Sequence, residues 1–197
     1  ARQGLAEDTV VIYTSDHGEN KGDHGLWWKN CMYEHGARVP LIVSWPARWA
    51  GGQRRSGVCS LLDLVQTIAA IAEAELPEHC DGDSLVPLLD DPSSAWKDCA
   101  ISEYYSHPIC SGFQMYRQGP WKYVYHTRPD EAHEPERELY HLGDDPGEFH
   151  NLAEQKEQAE RCRRMHDALV AELGDDPDAI EQRCRNDFAR AEAAVAR

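Results

Sequence analysis

The stretch Asp16-His17-Gly18-Glu19-Asn20-Lys21-Gly22-Asp23-His24-Gly25-Leu26-Trp27-Trp28-Lys29 gathers carboxylates, imidazoles and lysines into one polar, glycine-punctuated segment. Asp16 and His17 are adjacent, so their side chains converge only where a strand has ended and the backbone turns. Together they offer an oxygen and a nitrogen donor, half of a divalent-metal site whose other ligands come from elsewhere in the fold. Lys29 would supply a mobile positive charge to neutralise an oxyanion on a bound substrate. His24 lies between them and is placed near the same pocket. Residue chemistry alone leaves a second reading open, an acidic surface loop with Asp23 as a turn residue, His24 as a packed histidine and Lys29 as a solvated charge.

The elements that must position this segment are legible on either side of it. Thr9 to Tyr13 is a short β-branched run that ends in Thr14-Ser15-Asp16, which predicts a central parallel strand with the polar loop beyond its carboxyl end. In open α/β sheets that is where ligands bind. Val39 to Trp45 predicts a second strand, stopped by Pro46, with Arg38 bracing its start. Ser60 to Glu73 carries Leu61, Leu64, Val65, Ile68, Ile71 and Ala72 at helical spacing. Strand, loop, strand and helix in this order imply an α/β layer architecture.

The run Asp90-Asp91-Pro92-Ser93-Ser94 marks a joint, dividing the chain into residues 1–95 and 96–197. Beyond it, Ile101 to Tyr105, Phe113 to Arg117, Lys122 to His126 and Glu138 to Leu142 are short aromatic-rich segments separated by turn residues, which predict a small antiparallel sheet. Ala159, Cys162, Met165, Leu169 and Leu173 step by three or four along a predicted helix from Glu154 to Leu173. Asp176-Pro177 then supplies an N-cap and a first-turn proline for a last helix striped by Ile180, Cys184 and Phe188.

Composition limits the partners. The 197 residues hold 20 Lys and Arg against 35 Asp and Glu, a formal charge of −15. That excess argues against nucleic acid and against an anionic membrane surface, and no apolar run approaches the roughly 20 residues of a transmembrane helix. An anionic substrate would have to be met by a local positive site. The seven cysteines, Cys31, Cys59, Cys80, Cys99, Cys110, Cys162 and Cys184, form no CxxC pair and read as reduced, buried small hydrophobes, a slight lean toward the cytoplasm. The chain opens at Ala1 and reaches its first strand within a few residues, as expected of a piece of a longer protein.

Several strings, taken in order, resemble the C-terminal half of the type I sulfatases of the alkaline-phosphatase superfamily. They are Thr9-Val10-Val11-Ile12-Tyr13-Thr14-Ser15-Asp16-His17-Gly18-Glu19, Gly22-Asp23-His24-Gly25-Leu26-Trp27 with Lys29, Met32-Tyr33-Glu34, and Ala37-Arg38-Val39-Pro40-Leu41-Ile42-Val43. Further along come Asp63-Leu64-Val65-Gln66-Thr67-Ile68, Asp81-Gly82-Asp83-Ser84-Leu85, Trp121-Lys122-Tyr123, Glu138-Leu139-Tyr140-His141-Leu142, Asp145-Pro146-Gly147-Glu148 and Asn151-Leu152-Ala153. Their joint order is far more specific than any single string.

The resemblance implies an α/β fold, the C-terminal part of an alkaline-phosphatase-like sandwich, followed by a small antiparallel-sheet subdomain with C-terminal helices. It implies that Asp16 and His17 match the second pair of metal ligands and Lys29 the lysine that contacts the sulfate, and His24, beside them near the pocket, joins Lys29 as a candidate catalytic residue. The family usually holds Ca2+, and the nitrogen of His17 widens the choice to Mn2+ or another divalent ion. The activity implied is hydrolysis of a sulfate ester on a small molecule or saccharide, with Tyr104, Tyr105 and His107 as rim contacts and homo-oligomerisation left open. A phosphonate or phosphate ester hydrolase of the same superfamily is the neighbouring alternative. A non-catalytic binding remnant of the scaffold is the more distant one.

The chain also departs from the pattern. Sulfatases act through a formylglycine made from the Cys or Ser of a C/S-x-P-x-R segment, and no such segment is expected in this chain, since none of the seven cysteines is followed by proline two residues later. That segment and the first pair of Asp ligands are expected upstream. The chain alone is therefore expected to be inactive.

Overall fold

The computed structural model describes residues 3–76, 78–105 and 110–195; His107 lies outside them. Strand β1 (Val11–Thr14) pairs with β2 (Leu41–Ser44), Thr14 opposite Leu41 and Val11 opposite Ser44. The pair is antiparallel, not the parallel arrangement expected of so apolar a run. An apolar strand reports burial, whereas direction depends on how the chain returns. Here the return holds only a 3-10 turn (Asp23–Gly25) and the one-turn helix α1 (Glu34–Ala37), which bring the chain back to the end it left rather than carrying it across the sheet. Val11, Tyr13 and Ile42 remain exposed on this two-stranded sheet.

Helix α2 (Leu62–Ala72) forms where periodicity placed it, but its buried face is the polar one. Asp63, Leu64 and Thr67 are buried, while Leu61, Leu62, Val65 and Ile68 are exposed. Asp63 is the anchor. Its carboxylate accepts from the backbone N–H groups of Ser60 and Asp83, both at 2.8 Å, and from Lys97 Nζ at 2.7 Å. Thr67 Oγ1 donates to the Asp63 carbonyl and accepts from Leu85 N at 2.8 Å. That second bond seats the start of the short helix α3 (Val86–Asp90).

The second half is a four-stranded antiparallel meander, β3 (Cys99–Tyr104), β4 (Phe113–Gln118), β5 (Trp121–His126) and β6 (Glu136–His141), in sequence order. Alternation sends successive side chains to opposite faces. Tyr116, Tyr123, Tyr125 and Leu139 face α4 (Ala159–Leu173), where Cys162, Met165 and Leu169 complete the core. On the other face Phe113, Met115 and Val124 pack against Met32, which lies three residues past Lys29. The sheet thus touches the polar segment directly. The last helix, α5 (Pro177–Val195), begins as expected, with Asp176 Oδ1 accepting from Asp178 N at 2.9 Å and Ala179 N at 3.3 Å.

Cys99 and Cys162 are buried, Cys110 is exposed, and the other cysteines are half-buried, so the buried-hydrophobe reading holds for two and fails at Cys110. No helix among the described residues is long and apolar enough to cross a membrane.

Candidate active site

Past Thr14 the chain leaves the sheet and folds Ser15, Asp16 and His17 into a tight turn. Ser15 Oγ donates to the His17 carbonyl at 2.8 Å, and His17 N donates to Asp16 Oδ1 at 3.0 Å. His17 Nδ1 lies 2.7 Å from the Gly18 carbonyl. A carbonyl oxygen can only accept, so Nδ1 carries the proton and the Nε2 of the neutral ring keeps its lone pair. That Nε2 is 3.4 Å from Asp16 Oδ2. A cation bound to oxygen at about 2.3–2.6 Å separates two ligands at a right angle by about 3.3–3.7 Å, so the donor pair fits one ion. Asp16 is exposed and His17 partly so. The slight desolvation of Asp16 raises its carboxyl, but backbone N–H groups, His17 and the Ser15 hydroxyl outweigh it and hold the group below the usual carboxylate range. Among the described residues no group of three or more His, Cys, Asp or Glu is arranged to hold a metal ion by itself.

Gly18 is where the loop meets α1. Its N–H donates to the Gly36 carbonyl at 2.8 Å, and a Cβ at this position would lie 2.0 Å from the His35 carbonyl oxygen. Only glycine fits that approach. Asn20, buried among exposed neighbours, then closes the loop. Its backbone N–H and its Nδ2 both donate to the Trp28 carbonyl, at 3.1 and 2.5 Å, and Nδ2 also reaches Cys31 Sγ at 3.1 Å. Trp28 is held at φ 74°, a left-handed conformation that costs a non-glycine residue about 1–2 kcal/mol. Lys29 follows it and is exposed, its carbonyl accepting from Cys31 N at 2.8 Å.

His24 is enclosed rather than open. Its ring stacks on Tyr33, centroids 3.9 Å apart, and on Phe149 at 4.8 Å, and its Nε2 donates to the Gly147 carbonyl at 2.8 Å. Asp23 Oδ2 lies 3.7 Å from that nitrogen and 2.5 Å from His35 Nδ1. The structure therefore joins Asp16 to His17 in one turn, presents Lys29 at the loop surface, and places His24 against the Gly147–Phe149 turn.

Sequence reasoning quoted Lys122, Glu34 and Glu148 only as parts of strings and gave them no role. Lys122 is 1% exposed, at the second position of β5, with Nζ 2.6 Å from Glu34 Oε1, 2.7 Å from Glu148 Oε1 and 2.8 Å from the Met32 carbonyl. The available signal was a charged residue at an inward strand position, which implies a partner for that charge.

One string does match the serine form of the formylglycine segment, Ser44-Trp45-Pro46-Ala47-Arg48, which an inspection of cysteines alone passes over. Ser44 pairs with Val11, at the opposite end of β1 from Asp16 and about 10 Å along the strand from Thr14. Arg48 is committed to Asp90, at 2.9 and 2.7 Å, and lies over the rings of Trp45 and Trp49. This serine faces the wrong end of the sheet to act with Asp16 and His17.

Residues 22–174 match the family described as N-sulphoglucosamine sulphohydrolase, C-terminal. The chain belongs to the type I sulfatase family. It corresponds to the family's C-terminal region, and the solved relatives share its alkaline-phosphatase-like α/β architecture. It is 35% identical to arylsulfatase K of Xenopus laevis over 160 residues, covering 77% of this chain and 29% of that protein. It is also 35% identical to the choline-sulfatase of Rhizobium meliloti over 156 residues, covering 78% and 28%. Among solved structures, a protein in complex with its substrate D-glucosamine-2-N,6-O-disulfate aligns with TM-score 0.79 and 27% identity, over 90% of this chain and 37% of that one. The phosphonate monoester hydrolase of Agrobacterium radiobacter aligns with TM-score 0.74 and 26% identity, over 86% and 36%. The chain thus spans less than a third of the curated sulfatases it matches.

Proposed function

We propose that the polypeptide carrying this chain is a sulfuric ester hydrolase, and that this chain contributes the second half of its metal site and the lysine that meets the ester. The observation behind this is the donor pair of Asp16 Oδ2 and His17 Nε2 at 3.4 Å, with the other ring nitrogen of His17 committed to a backbone carbonyl, in the loop that presents Lys29. Sulfatase-family membership supports it.

In this reading Asp16 and His17 hold a divalent cation, Ca2+ first and Mn2+ or another ion as the nitrogen donor permits. The cation supplies Lewis-acid polarisation of the sulfate oxygens, and a formylglycine outside this chain supplies the nucleophile. Lys29 stands against the negative charge that builds on the departing ester oxygen. His24 acts by holding the loop. The substrate is a sulfate ester on a saccharide or small molecule, consistent with the disulfated glucosamine bound by the structural relative. The 197-residue chain alone is expected to turn over no ester, a reading supported by the position of Ser44 at the far end of β1 from Asp16.

The test is turnover of 4-nitrophenyl sulfate and 4-nitrophenyl phosphate by the full-length protein and its Lys29→Ala variant. Sulfate turnover that dominates and falls about 10²–10³-fold in the variant is expected, the loss typical of removing one charge-stabilising group. Dominant turnover of the phosphate, or of a phenylphosphonate ester, would replace the sulfatase reading with the hydrolase represented by the Agrobacterium relative. No turnover of any ester and no metal binding would leave a non-catalytic remnant.

A further inference from the structure

Lys122 is the most deeply buried cation among the described residues, and the site described above does not use it. Its hydrogen-bond acceptor and its two ion-pair partners come from two segments remote in sequence. The Met32 carbonyl and Glu34 Oε1 belong to the chain just past Lys29, and Glu148 belongs to the turn after β6. Arg117 Nη1, 3.7 Å from Glu34 Oε1, brings the enclosed group to two cations and two carboxylates, and the exposed Arg38 reaches Glu34 Oε2 from outside at 3.8 Å. Burial pushes the Arg117 guanidinium down and Arg38 adds to the effect, while Glu34, Glu148 and Asp98 offset only part of it.

Glu148 does more than neutralise. Its other oxygen, Oε2, accepts from Glu34 N at 2.6 Å, and the residue sits at φ 57°, a left-handed conformation that surrounding contacts must enforce. Its neighbours grip the same loop at an earlier point. The Gly147 carbonyl takes the His24 Nε2 proton at 2.8 Å, and the Phe149 ring stacks on His24. Three consecutive residues therefore hold the segment at His24 and at Glu34, and Lys122 holds it at Met32. Lys29 lies between these fixed points.

We infer that Lys122, Glu148 and the Gly147–Phe149 turn form a seat on the C-terminal sheet that positions Lys29. Lys122 and Glu148 are positioning residues. Neither touches the exposed surface at Lys29, and each acts through the backbone of Met32 to Glu34. The physical advantage is register. A buried ammonium has few geometries that satisfy it, so the loop it holds has one placement rather than several. The inference rests on the proposed role of Lys29 only for its consequence in turnover. The seat itself is tested without catalysis.

Amide hydrogen exchange of the full chain is the experiment, comparing wild type with Lys122→Met, Glu148→Gln and Phe149→Ala. Peptides over residues 20–31 report the loop, and peptides over 113–126 report the β4–β5 ladder. At least tenfold faster exchange in the loop, with the ladder unchanged, is the expected result. Equal protection of the loop in all four proteins would overturn the inference. If Lys122→Met also loosens the ladder, the decision passes to Phe149→Ala, whose ring is largely exposed and is absent from the sheet core. An unchanged loop there, and in Glu148→Gln, overturns the proposal.

Lys122→Arg, which keeps the charge, should restore part of the loop protection, as a bare loss of packing would not predict. In the full-length enzyme the same variants should lower kcat more than they raise KM. A loosened loop with unaltered turnover would preserve the seat and refute the role assigned to Lys29.

Discussion

His24 and Tyr33 lie face to face, ring centroids 3.9 Å apart and planes within 5° of parallel, and the chain between them carries Lys29. The contact closes the loop on itself, and Phe149 covers the other face of the imidazole at 4.8 Å. Two rings and a carbonyl leave this histidine little freedom. Its protonated Nε2 is spent on Gly147.

Replacing His24 should therefore cost stability as well as order. His24→Ala removes two stacked contacts, on Tyr33 and Phe149, each worth about 0.5–1.5 kcal/mol, and a hydrogen bond worth a similar amount. A loss of about 1.5–4.5 kcal/mol is expected in urea unfolding followed by tryptophan fluorescence. A loss within experimental error would mean that the rings touch without contributing.

Asp16 and His17 predict metal affinity that does not depend on substrate. Calorimetry with Ca2+ and Mn2+ on the full-length protein should show binding that Asp16→Ala abolishes and His17→Ala weakens, the latter more for Mn2+ because imidazole suits the transition ion better. Equal binding in the wild type and both variants would remove these residues from the ligand set.

The α2 anchor predicts two large losses. Asp63 is wholly buried with three partners, and Asp63→Ala would strand Lys97 beside Asp83 and leave two backbone donors unpaired. About 3–5 kcal/mol is expected. Gly82 sits at φ 94°, and a Cβ there would lie 2.7 Å from the backbone carbon and oxygen of Leu62. Gly82→Ala should cost at least about 1–3 kcal/mol for the backbone conformation alone. Thermal unfolding of each variant checks both.

Acid should destabilise the C-terminal sheet through His166. Burial lowers its pKa and Arg137 adds to the effect, while Asp167, Asp176 and Asp178 act the other way. The ring faces the Tyr123 hydroxyl at 3.2 Å and the Tyr125 ring at 5.0 Å. Because the folded pKa lies below the unfolded value near 6.5, the unfolded chain binds the proton first. Stability is then full above about pH 6.5 and declines as pH falls through the folded pKa. His166→Gln should flatten the fall in urea midpoint between pH 7.5 and 5. An identical slope in the variant would assign the acid sensitivity to other groups.

Local pattern was enough for the elements. Aromatic-rich segments between turn residues placed β3 to β6, apolar residues three and four apart placed α4, though it starts at Ala159 and not at Glu154, and Asp176-Pro177 marked the start of α5, because each is set by contacts within a few residues. Ordered strings from Thr9 to Ala153 were likewise enough to recognise a sulfatase, and they are what puts Asp16, His17 and Lys29 forward for its site. Tertiary structure decided the rest. It set β1 and β2 antiparallel, turned the polar face of α2 inward around Asp63, and carried Ser44 to the end of the sheet away from Asp16. It also joined Lys122 to Met32 and Glu148 to Glu34, across 90 and 114 positions of chain. A hydropathy pattern records that a residue is buried or charged, but not which distant group meets it. The partner of a buried charge is chosen by packing, and packing exists only once the sheet and the loop are in contact.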